Sequence, residues 1–420
     1  MADSICIFEG IYFNRLLPLA YLRPVYDLRC GILSLRGKIE RYYSQVPITL
    51  HCRNYMADYM ELKHPEHKVN VLQSDNVLFI NGRVIVDEEF SRKISLEGPE
   101  KLYMCGETVV AARVSGEKLE ELKKAMNDVL SQGDFSGLEI EEIDANIIHY
   151  PWDLVKNNEK ELISDFYLLR NEIETKDNYE RYDGVFLLNE KDIFIGDEAK
   201  IYPGAVLDAE EGPIFIGKGA KVLPGASIQG PAFIGDYTIV KMGARLYHNS
   251  NIGRVCKIGG EVENTIVHSF SNKQHDGFLG NSYLGSWVNL GAGTNNSDLK
   301  NNYGSIKVYI NGEPVDSGSQ FVGLTMGDHS KSAINSTFNT GTVIGVSCNI
   351  YGSGFPPRYV PSFGWGGSDA MTSYDLERSI EVAQRVMERR DVEMKAADEK
   401  MFRKVFDLTR EERRKRGMPN

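Results

Sequence analysis

Eight aliphatic side chains recur at strict six-residue spacing: Ile216, Val222, Ile228, Ile234, Val240, Leu246, Ile252 and Ile258. An α-helix repeats about every 3.6 residues and a plain strand about every two, so neither makes this pattern. A hexapeptide repeat does. Three short strands close one triangular coil, and every sixth side chain points into a shared core. Glycine follows the inward residue at Ile195, Ile216, Ile234, Ile252, Ile258 and Ile344, where tight corners need backbone freedom. Coils of this kind stack into a prism.

The repeats are expected over residues 186–360. Early rungs carry Ile195, Ile201 and Leu207, and three extra residues, Glu210–Gly212, precede the unbroken series. The period breaks at Glu261–Gln274 and returns with Leu279-Gly280, Leu284-Gly285 and Leu290-Gly291. A long loop rich in Asn, Gly and Ser is expected over Asn295–Gln320, after which Met326, Phe338, Ile344 and Ile350 resume the period.

The flanking regions follow other rules. Residues 1–155 mix short apolar runs (Ser4–Phe8, Val77–Ile80, Val84–Val86) with helical stretches, which reads as α/β. Leu119, Leu122, Met126, Val129 and Leu130 share one face of a helix expected over Gly116–Leu130. Residues 156–185 read as a charged helical linker. Over 369–416, Ile380, Ala383, Val386 and Met387, then Met394, Ala397, Met401 and Val405, recur at helical spacing. The basic ending RKVFDLTREERRKR fits a solvated helix end or a phosphate-binding tail.

Composition narrows the classes. The chain has 420 residues, and its net charge of −11 argues against nucleic acid as a partner. No apolar run is long enough to span a bilayer, and the opening MADSICIFEG lacks a signal-peptide pattern. The six cysteines show no CxxC spacing, as expected of reduced thiols in a cytoplasm rather than a zinc site.

Chemistry-bearing residues concentrate at 275–294, HDGFLGNSYLGSWVNLGAGT. His275 falls at the coil break, where an insertion would expose it at a cleft between subunits. Acylating an amine requires a base that works near neutral pH, which imidazole supplies. The thioester oxygen requires a hydrogen-bond donor as it gains charge. Asn289, the backbone amides of Gly291–Gly293 and the asparagines over 295–302 are the candidates.

This segment resembles the acetyltransferase half of the bifunctional N-acetylglucosamine-1-phosphate uridyltransferase/glucosamine-1-phosphate acetyltransferases. The shared pattern is His275, Phe278, Leu279-Gly280, then Asn289-Leu-Gly-Ala-Gly-Thr294. The resemblance implies His275 as general base and Asn289 as a ligand to the acetyl or amino group, with Gly291, Ala292 and Gly293 beside acetyl-CoA. Asn302 and Tyr303 look like the family's sugar-phosphate pair. Phe278 replaces a tyrosine, Leu223-Pro224-Gly225 replaces an Arg-Pro-Gly turn, and Lys241-Met242 replaces a lysine pair. Lys221, Lys241 and Arg245 are the substitutes for the lost cations.

Residues 15–24 resemble the opening signature of sugar-1-phosphate nucleotidyltransferases, with the spacing from Arg15 to Pro24 kept. Its glycines are largely replaced, and Val25 stands where the family has lysine. Arg23, Arg29, Arg36 and Lys38 form a nearby basic cluster, and Asn81 stands where the family's aspartate holds Mg2+. Arg15, Arg23, Arg29, Lys38 and Asn81 are therefore the candidate nucleotide-binding residues. Pro151-Trp152-Asp153-Leu154 looks like the motif that closes the nucleotidyltransferase domain.

The fold this implies is a Rossmann-like α/β nucleotidyltransferase-like domain, a left-handed parallel β-helix and a C-terminal helix. The implied partners are a nucleoside triphosphate, a sugar 1-phosphate and acetyl-CoA, with Mg2+, in a homotrimer. The implied chemistry is sugar-1-phosphate nucleotidyl transfer, amino-sugar-phosphate N-acetylation, or both. The alternatives are a chain with one working half and a non-catalytic trimeric scaffold whose N-terminal domain senses a ligand.

Overall fold

The computed structural model describes residues 1–170 and 182–418. The first segment alternates strands and helices. It runs β1 (Ser4–Phe8), α1 (Leu35–Tyr42), β2 (Ile48–Leu50), α2 (Ala57–Lys63), β3 (Lys68–Val69), β4 (Asn76–Asn81), α3 (Glu88–Lys93), β5 (Lys101–Cys105), β6 (Thr108–Ser115), α4 (Gly116–Lys124), β7 (Ile140–Glu142) and α5 (Pro151–Arg170). The seven strands form one sheet in the order β3-β2-β1-β4-β6-β5-β7. β1 pairs in parallel with both β2 and β4, the Rossmann-like arrangement that the apolar runs imply. Val84–Val86 adds no strand; Val84 makes one isolated bridge to Ile147. α4 ends at Lys124, six residues short of the expected helix, because Ala125 turns out of helical geometry (φ −149°, ψ 61°). Asn127 and Asp128 beyond it bond instead to His51 and to the Asn54 amide.

From Phe186 the chain winds into the three-sided, left-handed β-helix. One face carries a ladder of ten strands, nine of them parallel and the tenth, Met371–Ser373, antiparallel at its end, and a second carries nine. The six-residue series distributes itself over the three faces in turn. Ile195, Ile216, Ile234 and Ile252 stack on one. Ile201, Val222, Val240 and Ile258 stack on the next. Leu207, Ile228 and Leu246 stack on the third. These side chains form one continuous buried core. The three extra residues at Glu210–Gly212 lengthen one corner, and Ile195 still pairs with Ile216.

Two expectations about the prism are corrected. The break at Glu261–Gln274 is a shortening of corners rather than an insertion. Val262, Val267 and Lys273 follow Ile258 onto the next three faces, in register with Leu246, Ile252 and Ile258. Over Asn295–Gln320 the chain is not a plain loop. Lys307–Ile310 and Glu313–Asp316 form an antiparallel hairpin closed by Asn311-Gly312, both at positive φ. Trp152 buries itself against Ile306, Val308 and Ile310 of this excursion, so the Pro-Trp-Asp-Leu motif ties the two halves together.

Residues 156–170 of the stretch read as a helical linker belong to α5, and residues 171–181 of it lie outside the described residues. Phe194, Phe215 and Phe233 stack rung on rung on the outside of the prism, and Leu162 and Phe166 of α5 cover them. The C-terminal segment is not one helix but α6 (Leu376–Glu388), α7 (Ala396–Leu408) and the short α8 (Arg410–Lys415). Ile380, Ala383, Met401 and Phe402 share a core with Ile80, Tyr26 and Met56 of the N-terminal domain and with Val346 and Phe363 of the prism.

Ile234 is fully buried between rungs on both sides. Ile234→Ala should cost roughly 2–4 kcal/mol, because stacked coils on either side prevent collapse into the cavity. A chemical-denaturation series that leaves the midpoint unchanged would contradict this packing.

Candidate functional site

The acyl-transfer segment occupies a corner of the prism. His275 is exposed and lines an open hollow of about 380 Å3 with Leu223, Lys241, Gly260, Ala292 and Gly293. The inward ladder explains what holds it there. On the face where Ile258 and Leu290 point inward, Lys273 occupies the rung between them. Its side chain is 2% exposed, and its Nζ donates to the carbonyls of Gly259 (3.0 Å) and His275 (2.9 Å). Burial pushes this ammonium down to about 8. Gly260 is at φ +69°, and a Cβ there would meet the His275 carbonyl and Lys273 Nζ at 2.7 Å. The His275 turn is thus braced by a buried cation and a required glycine. Lys273 escaped the sequence reading because it replaces an aliphatic at a six-residue position; its distance of 15 residues from Ile258 hid the register.

The other residues of this set divide. Asn289 lines a neighbouring hollow, also about 380 Å3, with Lys257, Lys331, Arg389 and Arg390; Gln274 borders both. No carboxylate lines this second hollow, and Arg390 reaches it from the end of α6 by donating to Asn272 Oδ1 (2.8 Å). Burial holds Lys331 down to about 8. The amides of Gly291 and Gly293 already donate to Ser332 and Asp276 carbonyls, so they are engaged within the coil. Arg245 is exposed and 3.4 Å from Glu261. Asn302 and Tyr303 are exposed on the excursion before the hairpin and line neither hollow. The basic tail is partly structural. Arg413 is fully buried, bonded to Thr409 and stacked 3.9 Å over Phe406, while Arg410 and Arg414 pair with Asp407 and Glu411.

The N-terminal candidates are mostly engaged inside the protein. The crevice beyond β1 and β4 is where a parallel sheet of this order receives nucleotides. Here Glu9 is fully buried and accepts from Arg53 (2.9 Å) and from the Val25 amide (2.9 Å). The Tyr26 ring lies against Gly82, whose Cβ it would meet at 2.7 Å. Asn81 donates to the Val109 carbonyl (2.7 Å) and accepts from the Arg83 amide (3.0 Å). Its oxygen therefore has a partner, and the nearest-following acid of β1 is bound to Arg53, so these residues do not fit Mg2+. Lys38 is buried between Asp165 (2.5 Å) and Glu161 (2.8 Å) of α5. Arg23 is bonded to Asp328 (2.8 Å) and Ser286 (3.0 Å) of the prism. Arg15 stacks over Tyr12 at 4.1 Å. Arg29 donates to the Ile32 carbonyl and lies 5.2 Å over Phe233. Arg23, Arg29 and Arg36 line one interdomain cleft, whereas Arg15 and Lys38 do not reach it.

Residues 5–174 match the family described as sugar nucleotidyl transferase. The bifunctional sugar-1-phosphate nucleotidylyltransferase/acetyltransferase of Sulfurisphaera tokodaii is 33% identical over 97 residues, 23% of this chain and 24% of that protein. The bifunctional protein GlmU of Thermodesulfovibrio yellowstonii is 28% identical over 246 residues, 51% of this chain and 54% of its own length. The chain thus spans between a quarter and about half of these relatives. The UDP-N-acetylglucosamine acyltransferase of Francisella novicida aligns with 56% of this chain and 84% of its own at 14% identity, with a TM-score of 0.28. The molecule is a sugar-nucleotidyltransferase-type domain joined to a hexapeptide β-helix. Parts of it are similar to bifunctional sugar-1-phosphate nucleotidylyltransferase/acetyltransferases.

The lowered Lys331 has a consequence for stability. Between about pH 8 and the unfolded lysine range, the folded chain has released a proton that the unfolded chain still holds. Stability therefore rises with pH across that window. Lys331→Met should flatten this rise in thermal melts; an unchanged slope would show that Lys331 does not titrate there.

Proposed function

We propose that the chain transfers an acetyl group from acetyl-CoA to the amine of an amino-sugar 1-phosphate at the His275 hollow. The observation that carries this reading is the exposed imidazole on a turn braced from within by Lys273. In the step, His275 takes a proton from the amine as nitrogen attacks the thioester carbonyl. The C–N bond forms, the C–S bond breaks, and the imidazolium returns its proton to the departing thiolate. In this reading Lys241, which lines the hollow, meets the sugar phosphate, and the neighbouring hollow lined by Lys257, Lys331, Arg389 and Arg390 beside Asn289 takes a second phosphorylated part. Asn289 remains the side-chain candidate for the acetyl oxygen. A homotrimer in a cytoplasm fits this reading; Met242, exposed at the rim of the hollow, offers an apolar contact for a second copy.

The reading leaves the N-terminal domain without nucleotidyl transfer, since the engaged Glu9 and Asn81 present no ligand set for Mg2+. The filled crevice equally suits the non-catalytic part of the alternative reading, a scaffold whose N-terminal domain senses a ligand, with that ligand bound outside the crevice.

Release of free thiol from acetyl-CoA with glucosamine 1-phosphate measures the reaction. His275→Ala should lower kcat by about 100-fold or more, and Lys273→Met should lower it less while leaving KM near the parent value. Equal turnover by the parent and His275→Ala would remove the acyl-transfer reading. Pyrophosphate-dependent breakdown of UDP-N-acetylglucosamine should be absent; its presence would restore the nucleotidyl half.

A further inference from the structure

Away from the His275 hollow, and sharing no lining residue with it, a cleft of about 560 Å3 opens where the three parts of the chain meet. One wall is drawn from the segment between Leu22 and Gly37, the end of the signature-like stretch and the basic cluster that follows it. The second is the prism at His268–Phe270, Ser286–Trp287 and Asp328–His329. The third is Met387, Met394, Met401 and Phe402 from α6, α7 and their connection.

The charge of this cleft opposes that of the molecule. Five cations line it (Arg23, Arg29, Arg36, Lys63 and Arg254) against three carboxylates, in a chain of net charge −11. Arg23 and Arg36 are paired with Asp328 and Asp27. Asp398 accepts from the Lys395 amide at the start of α7. Among the described residues, Arg29, Lys63 and Arg254 have no carboxylate partner. An uncompensated positive cleft in an acidic protein concentrates anions.

Its walls also hold unsatisfied polar atoms. Asp328 is 1% exposed and His329 5%, yet Asp328 Oδ2 and His329 Nδ1 have no hydrogen-bond partner; neither has Arg29 Nε. Buried polar atoms are ordinarily paired, and orphaned ones in a cavity wall are a place for a ligand's hydroxyls. Burial holds His268 and His329 well below the usual imidazole range, so both are neutral and act through hydrogen bonds rather than charge. The volume lies within the common range for small-molecule pockets, roughly 300–1,000 Å3.

We propose that this interdomain cleft binds a phosphorylated, hydroxyl-bearing small molecule, a sugar phosphate or a nucleotide. Arg29, Lys63 and Arg254 hold the phosphate, and Asp328 and His329 take the hydroxyls. Arg29, from the basic cluster beside the signature, thus serves a site between domains rather than the crevice of its own sheet. Because three segments supply the walls, the bound ligand would also fasten them together and raise the melting temperature.

Calorimetric titration and thermal melting of the full chain test this with three probes: inorganic phosphate, glucose 1-phosphate and uridine 5′-monophosphate. At least one ester should bind saturably, tenfold or more tighter than inorganic phosphate, and raise the melting temperature. Stronger binding of glucose 1-phosphate assigns a sugar phosphate, and stronger binding of the nucleotide assigns a nucleotide; both support the site. Two variants locate it. The double variant Arg29→Gln, Arg254→Gln removes charge, and Met394→Trp fills volume from an irregular connection. Each should weaken binding tenfold or more while melting near the parent, whereas His275→Ala should leave binding within twofold. The proposal is overturned if no probe binds saturably, if inorganic phosphate binds as tightly as the esters, or if both cleft variants bind normally.

Discussion

The stack of inward side chains in the prism is the constraint on which the other features rest. Each rung buries one side chain per face directly above and below its neighbours, and the parallel backbone ladder allows no slip without moving all three faces together. A rigid column results. It fixes where corners fall, and the corners carry the polar residues. The column tolerates a three-residue bulge at Glu210–Gly212 and the excursion that begins after Asn296 because both leave from corners and return in register.

One rung breaks the apolar rule. Lys273 points into the column, and its ammonium finds two carbonyls at the corner below His275. A buried cation with hydrogen bonds but no carboxylate is costly, and its lowered pKa records that cost. Such a residue persists where it positions something. Here it fixes the turn that presents the imidazole to solvent, linking the packing of the fold to the proposed chemistry.

The two halves have diverged in opposite directions. The prism keeps an open polar corner, whereas the N-terminal sheet has filled its own crevice with Tyr26 and the Glu9–Arg53 pair. The segment after β1 is bonded outward, through Arg23 to Asp328 and through Lys38 of α1 to α5. Basic residues that look alike in the sequence therefore end in different places. Lys38 is neutralised, Arg23 becomes a buried bracket, and Arg29 faces the interdomain cleft.

Much of the architecture could be read from the residues. Six-residue periodicity is a local property: each inward side chain is set by its own coil, so the series from Ile216 to Ile258 marked the prism and its faces directly. The segment from His275 to Thr294 likewise marked the corner where the polar groups gather. What the sequence could not determine depends on which distant atoms meet. The shortened coils hid the inward Lys273, and the hairpin at Lys307–Asp316 looked like loop because its apolar side is matched by distant residues, Trp152, Val343 and Tyr359. The fate of each arginine rested on partners as many as 305 positions away, as between Arg23 and Asp328. Charge and spacing identify a residue's capacity to bind an anion; only the packed tertiary structure decides whether a carboxylate of the same chain has already taken that capacity.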